Sequence, residues 1–461
     1  MAQAEVEALS GVGPAPAAPG PGCDLAAAKA AAAATLEGFR HRGVRPGIER
    51  MRWLCRALGQ PQQVAPAVHV TGTNGKGSTA KMVSALLSAS GAHVGLYTSP
   101  HLVDVTERIA LDNAAITAER FVALVDALGP TFAAAGAALG ESVTHFDVLT
   151  SMALVAFAEA GVDAMVIEVG IGGANDDTNV VDAEVAVVTN VDLDHARYLG
   201  ATREEVAAQK AGIIKRSAVA VLGEVDRGVL GILEARCAEV GATPWRLGRE
   251  VRVLAHAPAP GGRDVVVATP GGRYEVRVPL RGAHQAANAA CALAATEAFL
   301  GAPIPGPVVA AAMAAMANPA HLELFGDGPA AAVDVAHNPH GAAALAASLT
   351  EAFSDRPRVL VFGVSPDKDA ATMLERLADH VAAGVFTQSP DAPHRPPTEL
   401  AAMARSLGYP EAEVATHPLD ALGVARDRAA GGELVVLTGS HYWIGAVYPE
   451  LEAVFGPRSD R

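Results

Sequence analysis

Aromatic residues are scarce, at 4% of the 461-residue chain, so core volume has to come from Ala, Val and Leu. Charge is also sparse, with 18% charged residues, a formal net charge of −15 and no basic run. That balance opposes the clustered Lys and Arg needed to grip a phosphate backbone, and excludes nucleic acid as a partner class. Only four cysteines occur, Cys23, Cys55, Cys237 and Cys291, and no CxxC pair. A disulfide framework and a zinc site are thereby disfavoured, and a reducing compartment, the cytoplasm, is expected. The N-terminus lacks a basic segment leading into an apolar one, and nothing reaches the ~20 uninterrupted apolar residues of a membrane span, so no membrane association is expected.

Half of the residues are hydrophobic, too many for a disordered chain, and the length calls for two or three globular domains. Residues 1–24 hold a Pro/Gly/Ala-rich run and are expected to form a disordered tail. From there short β-branched runs alternate with Ala/Leu-rich helical stretches, the pattern of parallel βαβ units. Strands are expected at 67–70, 93–97, 165–168, 185–189 and 218–222, with a helix over 78–88 stopping at Gly91. Residues 250–278 read as a small antiparallel extension. The βαβ alternation resumes after Pro305, with strands expected at 331–335, 359–362, 385–387 and 434–438. The expected division is a nucleotide-binding domain over 25–302 and a smaller α/β domain over 303–461.

The run Val68-His69-Val70-Thr71-Gly72-Thr73-Asn74-Gly75-Lys76-Gly77-Ser78 leads a buried strand through a glycine-rich turn into a helix. Glycines let backbone N–H groups approach phosphates, the helix N-terminus adds partial positive charge, Lys76 offsets β/γ-phosphate charge, and Ser78 offers a hydroxyl to a metal. A glycine turn that merely caps a helix is the bland alternative, which the flanking strand and helix disfavour. Thr98-Ser99-Pro100-His101-Leu102 and Glu168-Val169-Gly170 follow two further strands, at the ends where open parallel sheets bind ligands. The oxygens of Ser99 and Glu168 suit Mg²⁺, although a lone Glu ending a strand is usually a solvated strand end.

Seven segments in order carry a resemblance: Gly72 to Ser78, Thr98 to Leu102, Glu168 to Gly173, Asp194-His195 with Leu199-Gly200, Lys210-Ala211-Gly212-Ile213, His284-Gln285 with Asn288, and Asp334 with Ala336-His337-Asn338. From about Thr35 to Gly445 the chain resembles the folylpolyglutamate synthase and dihydrofolate synthase family of Mur ligases. The resemblance implies a P-loop α/β domain with a parallel central sheet and a smaller C-terminal Rossmann-like domain that closes over the substrates. It also implies an ADP-forming acid–amino acid ligase of folate biosynthesis and one-carbon metabolism, acting as a monomer. ATP would lie on Gly72 to Ser78. Mg²⁺ would bind in two places, one ion on Ser99 and Glu168, the other on His195 with a Lys210 carbamylated by CO₂. Asp334, His337 and Asn338 would face ATP from the second domain, with Asp334 on the ribose. Gln285 and Asn288 would lie near the adenine; their bland alternative is a polar helix start. A folate or pteroate carboxylate would be phosphorylated to an acyl-phosphate, and the amino group of glutamate would then displace phosphate.

Two departures from the family pattern stand out. After Gly172-Gly173 the family carries Arg-Leu and later an alanine before Thr-Asn, whereas this chain has Ala174-Asn175-Asp176-Asp177-Thr178-Asn179. This segment, with Phe146 stacking on the pteridine or serving only as core, would bind the acyl substrate. The loop loses a cation and gains an acid, which opens a second reading: a paralogous ligase for another carboxylic acid, with reduced folates as poor substrates. His321 stands where a family arginine helps neutralise ATP phosphates, and only its protonated form would do so. A catalytically silent nucleotide-binding relative is the competing class, against which Lys76, Glu168, His195 and Lys210 argue.

Overall fold

The structure is a computed structural model that describes residues 25–40, 45, 47–326, 330–354 and 356–459, so the tail expected at 1–24 lies outside it. It forms two compact units. The first runs to Arg252 and takes in Thr269–Gly272 and Cys291–Ala312; the second comprises Val253–Ala268, Arg273–Ala290 and the chain from Met313.

The first unit is built on eight strands: β1 (Ala67–Thr71), β2 (Val94–Tyr97), β3 (Ile109–Leu111), β4 (Ala114–Ala115), β5 (Ala164–Glu168), β6 (Val185–Val188), β7 (Val219–Leu222) and β8 (Thr243–Arg246). They are ordered β4-β3-β2-β5-β1-β6-β7-β8, parallel except where β3 pairs with β2 and β4. Strands β1, β2, β5 and β6 are buried along their whole length, which is why they read as continuous apolar runs rather than alternating ones. The helix Lys76–Ala89 is longer than its apolar periodicity suggested, and Gly91 takes the left-handed conformation just beyond its end. The helix His145–Ala160 opens with a reciprocal capping box between Thr144 and Asp147 and is followed by Gly161 at φ 65°. One helix, Ala118–Leu139, has the length and apolarity of a membrane span, but Phe121, Leu124, Val125 and Phe132 are buried within the core of this unit.

The second unit contains a three-stranded antiparallel sheet, β9 (Arg252–Ala259), β10 (Gly262–Ala268) and β11 (Arg273–Val278), where the extension was expected. Its β11 alternates exposed and buried residues, as a sheet with one solvated face requires. The six-stranded sheet is ordered β12-β13-β17-β14-β15-β16, from β12 (His321–Phe325), β13 (Ala331–Asp334), β14 (Arg358–Phe362), β15 (Val381–Phe386), β16 (Ala412–Val414) and β17 (Leu434–Thr438). Only the β12–β13 pair is antiparallel.

Candidate active site

Neighbouring strands β2, β5, β1 and β6 all end on one edge of the first unit, with Val70 opposite Glu168 and Thr71 opposite Val188 in register. The loop Gly72–Ser78, Ser99, Glu168 and the segment Thr189–Asp192 therefore converge without any long reach. Gly72, at φ 154°, is packed so tightly on Thr189 that a Cβ would lie 1.8 Å from its Oγ1. The first half of the loop is laced to the end of β6: Thr73 N–H donates to Asn190 O at 3.0 Å, Asn74 N–H to Asn190 Oδ1 at 3.0 Å, and Thr189 Oγ1 to Asn74 O at 2.6 Å. The amides of Thr73 and Asn74 thus build the loop rather than face phosphate. The start of the helix at Gly75 to Ser78, where first-turn N–H groups have no acceptor within the helix, is the part suited to an anion.

Lys76 Nζ is anchored by Gly72 O at 3.1 Å and Thr73 O at 3.3 Å. Its charge acts on both other polar centres of the site. The Glu168 carboxylate is buried, accepts from Ser99 N–H at 2.9 Å, and is pushed up by burial while Lys76, Lys81 and Arg108 pull it back. Lys210 is fully buried near the end of the helix Arg203–Ala211, and burial, with the repulsion of Lys76, holds its amine well below the ordinary lysine value. Asp194 and Asp176 pull the other way. The lowered value favours the neutral amine over the ammonium, and the neutral amine is the form that adds CO₂.

An oxygen donor fits Mg²⁺ at Glu168, a buried carboxylate that accepts from the Ser99 backbone through Oε2 and has cations around it. Among the described residues no three His, Cys, Asp or Glu side chains cluster as a ligand set. His195 adopts left-handed backbone at φ 50°, ahead of the short helix Ala196–Leu199, with Nε2 3.9 Å from Asp194 Oδ1. That conformation is costly for a residue other than glycine.

The segment 174–179 is knit to the same helix as Lys210 and to its C-terminal end. Ala174 N–H donates to Gln209 O at 2.7 Å, Asn179 Nδ2 to Ala174 O at 3.0 Å and to Gly212 O at 3.3 Å. Asp176 caps the turn Asp177–Val180 and accepts from Ile171 N–H at 2.8 Å. Beneath it the Thr178 hydroxyl donates to Asp176 and lies 2.8 Å from Nε2 of His69, which burial holds neutral by lowering its pKa to about 3. His69, Lys81, Asn190 and Thr189 were missed by sequence reasoning; His69 alone left a signal, as the polar residue inside the apolar run of β1. Phe146 packs its ring 5.9 Å from that of Tyr97 and against Gly170, where a Cβ would clash at 2.6 Å. Asn175 is exposed, whereas Asp177 is buried against Asp147 and Arg50.

In the second unit Asp334 ends β13 and accepts from Leu322 N–H at 2.9 Å and Ala336 N–H at 2.8 Å; burial raises it to about 7. His337 bonds Val335 O at 3.0 Å through Nδ1, and its ring lies 5.4 Å from that of His441. Asn338 Oδ1 accepts from Gly341 N–H at 2.8 Å as the cap of the helix Pro339–Phe353. His321 Nδ1 lies 2.9 Å from Pro319 O. Gln285 accepts from Asn288 Nδ2 at 2.9 Å in the first turn of the helix His284–Leu300.

Residues 70–296 match the Mur ligase middle domain and 322–441 the Mur ligase glutamate ligase domain. The chain is 38% identical over 434 residues, 87% of its length and 89% of the relative's, to a Mycobacterium tuberculosis dihydrofolate synthase/folylpolyglutamate synthase. It is 33% identical over 422 residues, 89% and 96%, to the Bacillus subtilis protein of that name. The chain belongs to the dihydrofolate synthase/folylpolyglutamate synthase family of Mur ligases. It is an ATP-dependent, ADP-forming carbon–nitrogen ligase of that family. The fold agrees: the M. tuberculosis folylpolyglutamate synthase complexed with ADP superposes with a TM-score of 0.88 at 36% identity, covering 93% of this chain and 99% of that one. An Escherichia coli enzyme in complex with DHPP and ADP gives 0.80 at 30% identity, covering 94% and 99%.

Proposed function

We propose that this ligase joins glutamate, through an amide, to the carboxylate of a folate or dihydropteroate in the cytoplasm, splitting ATP to ADP and phosphate. The observation that carries the reading is the convergence of the Gly72–Ser78 loop and Glu168 on the strand-end edge, with the buried Lys210 within the field of Lys76, in a unit whose family relatives are solved with ADP. The nucleotide's phosphates would meet the N-terminus of Lys76–Ala89, with Lys76 Nζ held by two loop carbonyls beside them.

In the first step a carboxylate oxygen of the acid bonds to the γ-phosphorus and the bond to the β,γ-bridging oxygen breaks, releasing ADP. In the second the amine nitrogen of glutamate attacks the acyl carbon, inorganic phosphate leaves and the amine loses a proton. Charge spreading over the transferred phosphoryl group is offset by Lys76 and the helix N–H groups, already positioned before reaction. Mg²⁺ bound by Ser99 and Glu168, with Ser78 beside them, would supply further positive charge to the phosphates; a second ion would use His195 and carbamylated Lys210. Asp334, His337, Asn338, Gln285, Asn288 and His321 are the proposed nucleotide contacts of the second unit. Phe146 and the loop 174–177 are the proposed acyl-substrate contacts. The deciding experiment is phosphate release by the purified protein with dihydropteroate, tetrahydrofolate and aromatic acids, each with glutamate and other amino acids. Release with the aromatic acids alone would replace the folate reading by the paralogue.

A further inference from the structure

The acid that distinguishes this chain's acyl loop does not project into solvent. Asp177 and Asp147 are 6% and 0% exposed, on the loop after β5 and in the first turn of the helix His145–Ala160. Asp147 Oδ2 is fully used, accepting from Arg50 Nε at 2.8 Å and from Thr144 N–H at 2.7 Å. Its Oδ1 is buried with no donor among the described residues. The carboxyl of Asp177 lies against it. Two carboxylates in buried contact repel, and a buried acceptor without a donor costs free energy, so one proton between them removes both penalties.

We propose that Asp177 is a positioning residue for the acyl substrate: its protonated carboxyl donates to Asp147 Oδ1, tying the acyl loop to the helix that carries Phe146. Arg50 completes the tie, 3.9 Å from Asp177 Oδ1 by Nη2 and bonded to the backbone of Arg45, while Gly47 N–H donates to Asn175 O at 3.1 Å. The groups facing Asp177 are Asp147 from its helix, Asp176 from the loop and Arg50 from the helix Glu49–Ala57; Tyr97 from β2 senses it, and Glu141 faces Arg50 at 3.6 Å. Burial first, then Asp147 and Asp176, raise Asp177 well above the usual carboxylate range, against the pull of Arg50.

The substrate half of this inference rests on the function proposed above; the proton half does not. The test compares wild type with D177N, which keeps a donor and cannot ionise, and D177A, which carries the family residue and has no donor. KM for dihydropteroate or tetrahydrofolate, KM for ATP, kcat and Tm are measured from acid to alkaline pH. In the wild type the acyl KM is expected to rise by up to about tenfold per pH unit once the shared proton leaves, with the ATP KM unmoved. D177N should hold the low-pH acyl KM throughout, and D177A should raise it at every pH with little change in kcat. Because the folded state holds a proton the unfolded chain has lost, wild-type Tm should fall as pH rises above the ordinary Asp range, and D177N should show a shallower slope. Identical pH slopes of Tm in wild type and D177N would overturn the proton. A D177A that changes Tm and leaves the acyl KM alone would overturn the positioning role. Absence of turnover with every folate would sink the function proposed above and leave the Tm comparison to decide the acid pair.

Discussion

Replacing Lys76 by Met keeps the bulk of the side chain and removes its charge. Nζ is fixed by two loop carbonyls, at 3.1 and 3.3 Å, so little reorganisation is needed when phosphate charge develops. A unit charge about 4 Å from a phosphoryl oxygen, at an effective dielectric of about 20, is worth about 4 kcal/mol. Loss of one preorganised group of this kind costs about 2.7–4 kcal/mol, or roughly 10²- to 10³-fold in kcat. Two secondary effects act in the same direction. Lys76 is the largest influence pulling the Glu168 carboxylate down and the largest charge pushing Lys210 down, so its removal leaves Glu168 more readily protonated and Lys210 more readily charged. Both changes disfavour the metal-binding forms. The assay is coupled ADP release at saturating acid and glutamate, with circular dichroism to show that K76M is folded. A folded K76M within tenfold of wild-type kcat would refute the phosphate-loop argument.

Lys210→Gln is expected to remove a carbamate carbon signal that ¹³CO₂ produces in the wild type, and depletion of CO₂ should lower wild-type kcat reversibly; no such signal at high pH would count against the modification. Gly212→Ala would place a Cβ 2.4 Å from Ala174 Cα, so Tm should drop by the equivalent of about 1–3 kcal/mol, and an unchanged Tm would show that the acyl loop yields freely. Asp334, raised by burial to about 7, keeps a proton that the unfolded chain releases near 3.9, so the second unit should lose stability as pH climbs through that window. Calorimetry of Asp334→Asn, compared with wild type, should show that slope flattened.

The central strands were legible because burial on both faces makes them uninterrupted apolar runs, and β1, β5, β6 and β7 lie within a residue of their expected bounds. The strands that went unread, β3, β4, β8, β12 and β16, are short or lie at sheet edges, where half the residues face solvent and neither period nor β-branching dominates. At the start of β12, moreover, Leu322 and the preceding Ala320 take left-handed backbone and the register shifts between His321 and Glu323. The glycine loop announced itself through residue types fixed by backbone geometry. Its scaffold did not: Thr189, Asn190 and Asp192 reach it from more than a hundred residues away, and each is an ordinary polar residue after a strand. His69 and Lys81 belong to the same class, legible only once β1 and the following helix are placed beside Thr178 and Glu168.

The acyl loop shows what counting charges along a sequence misses. Asp177, next to Asp176, reads as added acidity, which argued for a carboxylic acid other than folate as the substrate. In the fold both are buried, Asp176 spent on the backbone amides of Ile171 and Thr178 and Asp177 set against Asp147. Burial without a full counter-charge favours the neutral acid, so the extra carboxyl adds far less negative field to the pocket than its formal charge suggests. What remains different from the family pattern is the loss of a cation at Ala174 and the exposed amide of Asn175. On the acyl-contact role proposed for this loop, size and hydrogen bonding at these two positions, rather than acidity, would be the levers on acyl-substrate choice. Arg at 174 and Leu at 175 together should change the ranking of acids in the phosphate-release screen more than Asp177→Ala does, and the reverse ranking would return the weight to charge.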